Sequence, residues 1–456
     1  MVEPYYERDG IAIYNCDCRE VGSFLRECLI DSIVTDPPYA LTANKKGGSG
    51  AVSVNLDSPY GRAPIGTGNG GGGFMGKAWD SALPTVEVWQ ELLSVCKPGA
   101  MLLSFGGTRT FHRLACAIED AGWEMRDCIN WLYGSGFPKS LDISKAIDKA
   151  AGAERELTGR VKPGHEGFAN RGNMSSVASF KGTLGGTGGF ERPWMDDPEK
   201  VEAYHQETAP STDAAKEWNG WGTALKPAWE PIIVAMKALD GTFAQNALKH
   251  GVAGLAVDRS RVPLNGDYKC GANGRPSQTG LGDNYEPDSA NQHSEVGRFP
   301  ANVIHDGSDE VLAGFPQTTS GAIKPHHIRT TSKTKNAYGD RDAPPEQTEG
   351  STGSAARFFY CAKASSSERG SRPSKEQPLF GDSDPGFTNT HPTVKPLALM
   401  KYLLQLVSTP TGGIVLDPFM GSGSTLVAAK ALGRRAIGIE INKEYCDIAI
   451  QRLAGT

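Results

Sequence analysis

Six short runs of apolar residues lie along the chain, at residues 11–14, 32–35, 100–105, 231–236, 413–416 and 436–439. Runs of this length that are rich in Val and Ile are typical of parallel strands buried on both faces. Helical spacing of apolar residues follows some of these runs, at residues 86–95, 425–432 and 444–453. The alternation predicts an α/β fold with a doubly wound sheet of buried parallel strands.

Long polar stretches separate the runs. Residues 41–76, 151–220 and 241–390 are rich in Gly, Ser, Asn and Pro, and in residues 68–73 only Asn69 is not a glycine. The chain has 56 glycines in 456 residues, about 12% against a usual 7% or so. We therefore expect the two halves of one sheet to be separated by long insertions, in which substrate selectivity could reside.

The composition restricts the nucleic-acid, metal and membrane partners that can be expected. The formal net charge is -5 and the pI is about 6.0, so any contact with nucleic acid must come from a local basic patch. The nine cysteines form no disulfide-like framework, and Cys16 and Cys18 lack a second pair at zinc spacing. No apolar run approaches the ~20 residues of a membrane span. We expect a cytoplasmic protein with no membrane partner and no metal.

The first candidate site is the segment Asp36, Pro37, Pro38 and Tyr39, which directly follows the run at residues 32–35. Two prolines after a strand form a rigid turn that no helix can continue. The Asp36 side chain and the Pro37 carbonyl can both accept from one NH2 group, and Tyr39 offers a flat face for stacking. The turn predicts a receptor for an exocyclic amino group on a planar base. A simple loop is the alternative.

The second candidate site is a glycine-containing turn after residues 413–416. Gly421 and Gly423 allow the backbone to approach a ligand ahead of a helix start. Leu426 stands where a dinucleotide fingerprint needs its third glycine, and no P-loop lysine is present. Asp417 opens the turn and suits an ammonium group. Glu440 stands where an acid binds ribose in nucleoside-binding folds, although it could also be a solvated acid. Together these features indicate S-adenosylmethionine.

The two motifs resemble those of the amino-group DNA methyltransferases, which methylate adenine N6 or cytosine N4. The order, with Asp-Pro-Pro-Tyr first and the cofactor turn last, resembles the β-type permutation of that family. The sequence His-Pro-Thr-Val-Lys-Pro at residues 391–396 is a further family element. The resemblance covers roughly residues 9–40, 78–145, 221–237 and 355–453, and the intervening loops resemble those of phage or mobile-element members. It implies a permuted, Rossmann-like methyltransferase fold with a mixed sheet, whose long insertions form a target-recognition region.

The resemblance also implies further residues that bind the cofactor S-adenosyl-L-methionine. Asp17 matches the acid that contacts the cofactor adenine, although it could instead cap the following helix. Thr393 and Lys395 match the segment that closes over the methionine moiety, and Lys395 could alternatively be a surface lysine. Phe419 matches the aromatic residue beside the cofactor, although packing against a helix would also explain it. Glu230 is interpreted as structural.

The implied function is transfer of a methyl group to adenine N6 in double-stranded DNA, by base flipping and direct in-line transfer. N4-cytosine, an amino group on RNA or protein, and a DNA-binding module with a degenerate site are the alternatives. No Pro-Cys dipeptide is present, which excludes a cytosine-C5 nucleophile of that type. A homodimer and a separate restriction nuclease are compatible with the sequence.

Residues 311–339 contain no acidic residue, so their basic side chains are candidate phosphate contacts, although a solvated loop is an equal alternative. The candidates are Lys324, Arg329, Lys333 and Lys335.

We expect six segments. Residues 1–150 form the catalytic half, residues 151–220 an insertion, and residues 221–240 a returning catalytic strand. Residues 241–360 form the target-recognition region, residues 361–390 a linker, and residues 391–456 the cofactor-binding half.

Overall fold

The structure is a computed structural model that describes residues 3–40, 82–134, 136, 140–161, 206–263, 297–320, 351–362 and 394–455. Its strands are β1 (Tyr6–Arg8), β2 (Ile11–Tyr14), β3 (Ile30–Thr35), β4 (Cys96–Phe105), β5 (Trp123–Leu132), β6 (Leu157–Val161), β7 (Gln206–Thr208), β8 (Trp229–Lys237), β9 (Val303–His305), β10 (Gln317–Ser320), β11 (Ser351–Ser354), β12 (Tyr360–Cys361), β13 (Val415–Asp417) and β14 (Ala436–Ile439).

The helices are α1 (Val21–Phe24), α2 (Val86–Val95), α3 (Phe111–Asp120), α4 (Ile143–Ala150), α5 (Asp213–Glu217), α6 (Phe243–His250), α7 (Asp309–Gly314), α8 (Leu397–Leu406), α9 (Ser424–Ala431) and α10 (Lys443–Ala454). Short 3-10 turns occur at Cys18–Glu20, Asp258–Ser260 and Ala355–Phe358. Among the described helices, none has the length and apolar character needed to cross a bilayer.

Ten strands form one mixed sheet in the order β1-β2-β14-β13-β3-β4-β8-β5-β9-β12. The neighbours from β2 to β4 pair in parallel, as do β5, β9 and β12. Each of the six predicted apolar runs lies within or overlaps one of these strands. The α/β class and the mixed sheet are confirmed.

The prediction that residues 231–236 form a parallel strand is wrong, because β8 is antiparallel to both β4 and β5. Strands β5 and β8 are the two arms of a long hairpin, in which Leu132 pairs with Trp229 at the loop end. The chain between these two residues includes the whole of the second compact unit described below. Apolar runs show that a strand is buried but carry no information on its direction.

Helices cover both faces of the sheet, as the doubly wound pattern predicts. Successive residues of one strand point to opposite faces, and the adjacent Ile33 and Val34 accordingly enter different apolar clusters. On one face, α2 buries Trp89 and Leu92. On the other face, α8 and α9 bury residues such as Leu403. Burial on both faces holds the strand ends, and therefore the loops that leave them, in fixed positions.

Residues 136–227 form a second compact unit, and residues 1–135 with 228–456 form the first. The second unit contains α4, β6, β7 and α5, so it extends beyond the predicted insertion at 151–220 and includes α4. At its centre, the buried Asp148 accepts from Arg155 Nη1 at 2.6 Å and from the amides of Ser211 and Thr212 at 3.0 Å. Burial raises the pKa of Asp148, but these donors outweigh it and lower the pKa to about 2.

Part of the predicted target-recognition region belongs to the main sheet. Strand β9 pairs with β5, and β12 pairs with β9, which adds two short strands at the edge. Strands β10 and β11 form a separate two-stranded ribbon. The described parts of residues 241–360 therefore include extensions of the main sheet as well as a separate two-stranded ribbon.

Candidate active site

Three neighbouring parallel strands, β14, β13 and β3, deliver the two predicted turns to one edge of the sheet. Asp36 follows β3, Asp417 ends β13, and Glu440 follows β14. Carboxyl ends of parallel strands meet at the same edge, which is where ligands bind in open α/β sheets. Thr35 Oγ1 donates to Asp417 Oδ1 at 2.7 Å, so a buried hydrogen bond joins the two turns directly.

The glycine turn has a backbone that requires glycine. Gly421 and Gly423 have φ angles of 51° and 77°, in the left-handed region. A Cβ atom on Gly423 would also lie 2.7 Å from the Cβ of Ala449, which is too close. The turn therefore brings the start of α9 against α10.

Asp417 organises this turn from inside. Its carboxylate is buried and accepts from Thr35, from the Thr425 hydroxyl and from the Phe419 amide at 3.2 Å. Burial raises the pKa of Asp417 to about 6, although the two hydroxyl donors act in the opposite direction. Its role toward an ammonium group of the cofactor stays a prediction, because both oxygens already have partners within the protein.

Glu440 keeps acceptor capacity for a ligand. Oε2 accepts from the Gly421 amide at 3.0 Å, and Oε1 accepts from the Asn442 amide at 2.8 Å. A carboxylate offers about four acceptor positions, so roughly two remain for hydroxyl donors. Burial raises the pKa of Glu440 to about 7, while the two amides lower it in part. This carboxylate changes its charge near neutral pH.

The turn after β3 holds Asp36 between two donors. The Tyr39 hydroxyl donates to Asp36 Oδ1 at 2.7 Å, and Lys395 Nζ donates to Asp36 Oδ2 at 2.8 Å. The two prolines, Pro37 and Pro38, provide the spacing that lets Tyr39 reach back to Asp36. Thr110 Oγ1 donates to the Tyr39 carbonyl at 2.8 Å and fixes the end of the turn to the start of α3.

Lys395 is not a surface lysine. It lies against the turn from Asp36 to Tyr39, which together with Lys395 and Glu230 is called the amine receptor below. Its side chain is 9% exposed, and Nζ also lies 3.2 Å from Glu230 Oε2 and 3.1 Å from the Tyr39 hydroxyl. The ammonium is 4.8 Å from the ring centroid of Phe105. Burial acts to lower the pKa of Lys395, but the Asp36 and Glu230 carboxylates outweigh it and raise the pKa. The site therefore already stabilises a positively charged nitrogen.

Asp17 and Phe419 make the contacts that their structural alternatives require, namely capping of the following turn by Asp17 and packing against a helix by Phe419. Asp17 caps the 3-10 turn at Cys18–Glu20 and forms an ion pair with Arg19 at 2.6 Å. The Phe419 ring lies 6.3 Å from the ring of Trp89 in α2. Both residues remain at the loops near the cofactor turn, and their contacts with the cofactor stay predictions.

Several predicted residues lie outside the described part of the chain. They are Thr393 of the cofactor set and the DNA-binding candidates Lys324, Arg329, Lys333 and Lys335. Within the described residues, no group of three His, Cys, Asp or Glu side chains could hold a metal ion.

The sequence analysis interpreted Glu230 as structural and did not consider Tyr133, and the structure places both residues at the site. Glu230 lies at the start of β8, and because β8 runs antiparallel to β4, this start lies at the edge of the sheet where β4 ends, beside the site. Burial and then Glu230 raise the pKa of the Tyr133 phenol, which lies at the same edge. The only signal in the sequence is an acid directly before the apolar run at residues 231–236, and its meaning depends on the strand direction, which the sequence does not give.

Comparisons with known proteins support the family. A family model described as DNA methylase, N6_N4_Mtase, matches residues 214–451. The chain is 56% identical over 63 residues to Type II methyltransferase M2.DpnII of Streptococcus pneumoniae, and 54% identical over 63 residues to DNA adenine methyltransferase YhdJ of Escherichia coli K12. Each match covers 14% of this chain. The matched part is 23% of the length of M2.DpnII and 21% of the length of YhdJ.

Among solved structures, the M1.HpyAVI–SAM complex has a TM-score of 0.35 and 16% identity. That match covers 97% of this chain and 100% of the other.

Proposed function

The chain belongs to the DNA methylase family, whose model matches more than half of it, and on this premise we propose that it methylates adenine N6 in double-stranded DNA. The methyl donor would be S-adenosyl-L-methionine. The chain spans less than a quarter of the length of the curated relatives described above, so activity, substrate and partners are all part of the proposal.

One observation carries the proposal. The amine receptor and the glycine turn lie on neighbouring strands, and the hydrogen bond from Thr35 to Asp417 joins them over 2.7 Å. Group transfer requires that donor and acceptor be held within contact of each other in one orientation. A cofactor on the glycine turn would therefore place its reactive end toward the receptor at Asp36.

The residues of the glycine turn fit the proposed cofactor. Glu440 has acceptor positions for ribose hydroxyls, and the Gly421 amide holds this carboxylate against the glycine turn. Asp17 and Phe419 lie on loops at the same edge of the sheet, where Asp17 would contact the cofactor adenine and Phe419 would lie beside the cofactor. The bound cofactor would supply an electrophilic methyl group on a sulfonium.

The receptor fits a nitrogen that becomes positively charged during reaction. The receptor would hold the exocyclic nitrogen against the methyl group that the cofactor supplies, and the Asp36 carboxylate would take the proton that this nitrogen loses on methylation. Asp36 and the Pro37 carbonyl would accept its N–H groups, which directs the lone pair toward the methyl group. The Lys395 ammonium in this position supports that assignment, because the surrounding carboxylates and rings stabilise a cationic nitrogen.

The base must leave the helical stack to reach this site, so we propose base flipping with stacking on Tyr39. Adenine is favoured over N4-cytosine because the turn has Asp36 rather than Ser, and because one relative is named a DNA adenine methyltransferase. The relatives named as Type II methyltransferases also suggest a separate restriction nuclease as partner.

Expression in cells that lack adenine methylation tests the proposal. We expect long-read sequencing of their DNA to detect N6-methyladenine in a defined sequence context, and cells that express Asp36→Ala to show none. Methylation on cytosine, or modified adenine in the Asp36→Ala cells, would contradict the assignment.

A further inference from the structure

The Lys395 ammonium occupies the receptor that the proposed target amine would use. Its three N–H donors face three acceptors: Asp36 Oδ2 at 2.8 Å, the Tyr39 hydroxyl at 3.1 Å and Glu230 Oε2 at 3.2 Å. A carboxylate paired with an ammonium is a weaker acceptor for a further N–H group. Lys395 and the incoming amine therefore compete for Asp36.

Glu230 supplies a second carboxylate that can resolve this competition. The ionised Asp36 and Glu230 with the charged Lys395 make a set of net charge −1. When the amine engages Asp36, Lys395 can remain paired through Glu230. Without Glu230, the ammonium would have to stay on Asp36 or be left as an unpaired buried charge, which is strongly unfavourable.

The backbone at Glu230 is held in place, and the Lys395 side chain can move between the two carboxylates. Glu230 pairs with Trp131 across β5 and β8, and the carbonyl of the next residue, Pro231, accepts from the Gly106 amide at 2.9 Å. Its backbone is therefore held from two sides. Lys395 has a long side chain with several rotatable bonds, and its ammonium is within 3.2 Å of both carboxylates. A small movement of Nζ is enough to change its principal partner.

We propose that Glu230 is a positioning residue that draws the Lys395 ammonium from Asp36, so that the Asp36 carboxylate can accept the N–H of the target amine. This inference rests on the proposed methyl transfer. Glu230 acts through Lys395 and does not touch the reacting atoms.

Two single variants separate charge from size. Glu230→Gln keeps the size and removes the charge, whereas Glu230→Asp keeps the charge and shortens the side chain. We expect Glu230→Gln to lower kcat for methylation of unmethylated genomic DNA by about tenfold, within the range of coupled charge pairs. Glu230→Asp should retain more activity than Glu230→Gln. The KM for S-adenosyl-L-methionine should stay within about twofold in both.

The decisive variant combines Glu230→Gln with Lys395→Met. In Glu230→Gln alone, the ammonium stays on Asp36 and obstructs the amine. Removal of the ammonium frees Asp36, so the double variant should be faster than Glu230→Gln by about fivefold or more. A merely structural Glu230 would give a double variant as slow as, or slower than, the single one.

The outcomes distinguish this inference from the proposed function. An inactive wild-type protein that binds S-adenosyl-L-methionine would overturn the proposed function, and the inference with it. An active wild-type protein with no recovery in the double variant would overturn the role of Glu230 alone. Wild-type kcat in Glu230→Gln, or a Glu230→Asp variant slower than Glu230→Gln, would do the same.

Discussion

The charge of Glu440 should control cofactor affinity near neutral pH. Burial raises the pKa of this carboxyl to about 7 in the cofactor-free protein, from an ordinary value of 4.5. Ribose hydroxyls would donate hydrogen bonds to the ionised form, and that form is the better acceptor. Binding should therefore strengthen as the pH rises through 7 and weaken as the pH falls.

The size of the effect follows from the ionised fraction. With a pKa of about 7, roughly one molecule in eleven is ionised at pH 6 and ten in eleven at pH 8. If only the ionised form binds, the Kd for S-adenosyl-L-methionine should decrease by about tenfold between these two values, which corresponds to about 1.4 kcal/mol.

Isothermal titration calorimetry across this range, with wild type and Glu440→Gln, measures the effect. Groups on the cofactor titrate equally in both experiments, so the ratio of the two Kd values isolates Glu440. We expect the variant to bind weakly and to lose the tenfold dependence. Glu444→Gln is the matched control, since Glu444 is exposed on the first turn of α10 and should keep the wild-type profile. An equal pH dependence in wild type and Glu440→Gln would refute this reasoning.

The turns that surround the site allow further predictions. Gly423→Ala should cost about 2–4 kcal/mol in the free energy of unfolding, from a left-handed φ and a Cβ placed 2.7 Å from Ala449. Gly412→Ala has a similar φ of 69° but open space around it, so guanidinium denaturation should show a loss of only about 1–2 kcal/mol. Equal losses would contradict the close approach. Thr35→Val removes a donor to Asp417 and should cost about 1.5–3 kcal/mol at pH 8, where that carboxyl is ionised. The loss should shrink at pH 5, where the carboxyl is protonated, and thermal melts at the two pH values would show whether it does.

The sequence was sufficient to predict the two turns and six of the ten strands of the main sheet, but not β1, β5, β9 or β12. Val and Ile runs mark buried strands, and the carboxyl end of a parallel strand is where a polar turn such as Asp36 to Tyr39 can face a ligand. Pairing was harder to predict, because an apolar run is compatible with either direction. Strand β8 shows this, since its antiparallel direction depends on a hairpin whose arms are separated by the unit at 136–227.

The ion-pair network at the site could not be predicted from sequence spacing. Lys395 is 359 residues from Asp36 and 165 from Glu230 along the chain, and only the sheet order brings all three together. Family resemblance placed Lys395 at the methionine end of the cofactor. In the structure its described partners, Asp36, Tyr39 and Glu230, belong to the amine receptor.

The most direct test of the account is single-turnover methyl transfer with radiolabelled S-adenosyl-L-methionine and unmethylated DNA, followed by nucleoside analysis. Wild type should place the label on N6-methyladenine. The Asp36→Ala variant should place none, while it binds the cofactor with wild-type affinity, because Asp36 acts on the amine and not on the cofactor. Wild-type turnover in Asp36→Ala, or label on a position other than adenine N6 in the wild-type reaction, would contradict the central claim.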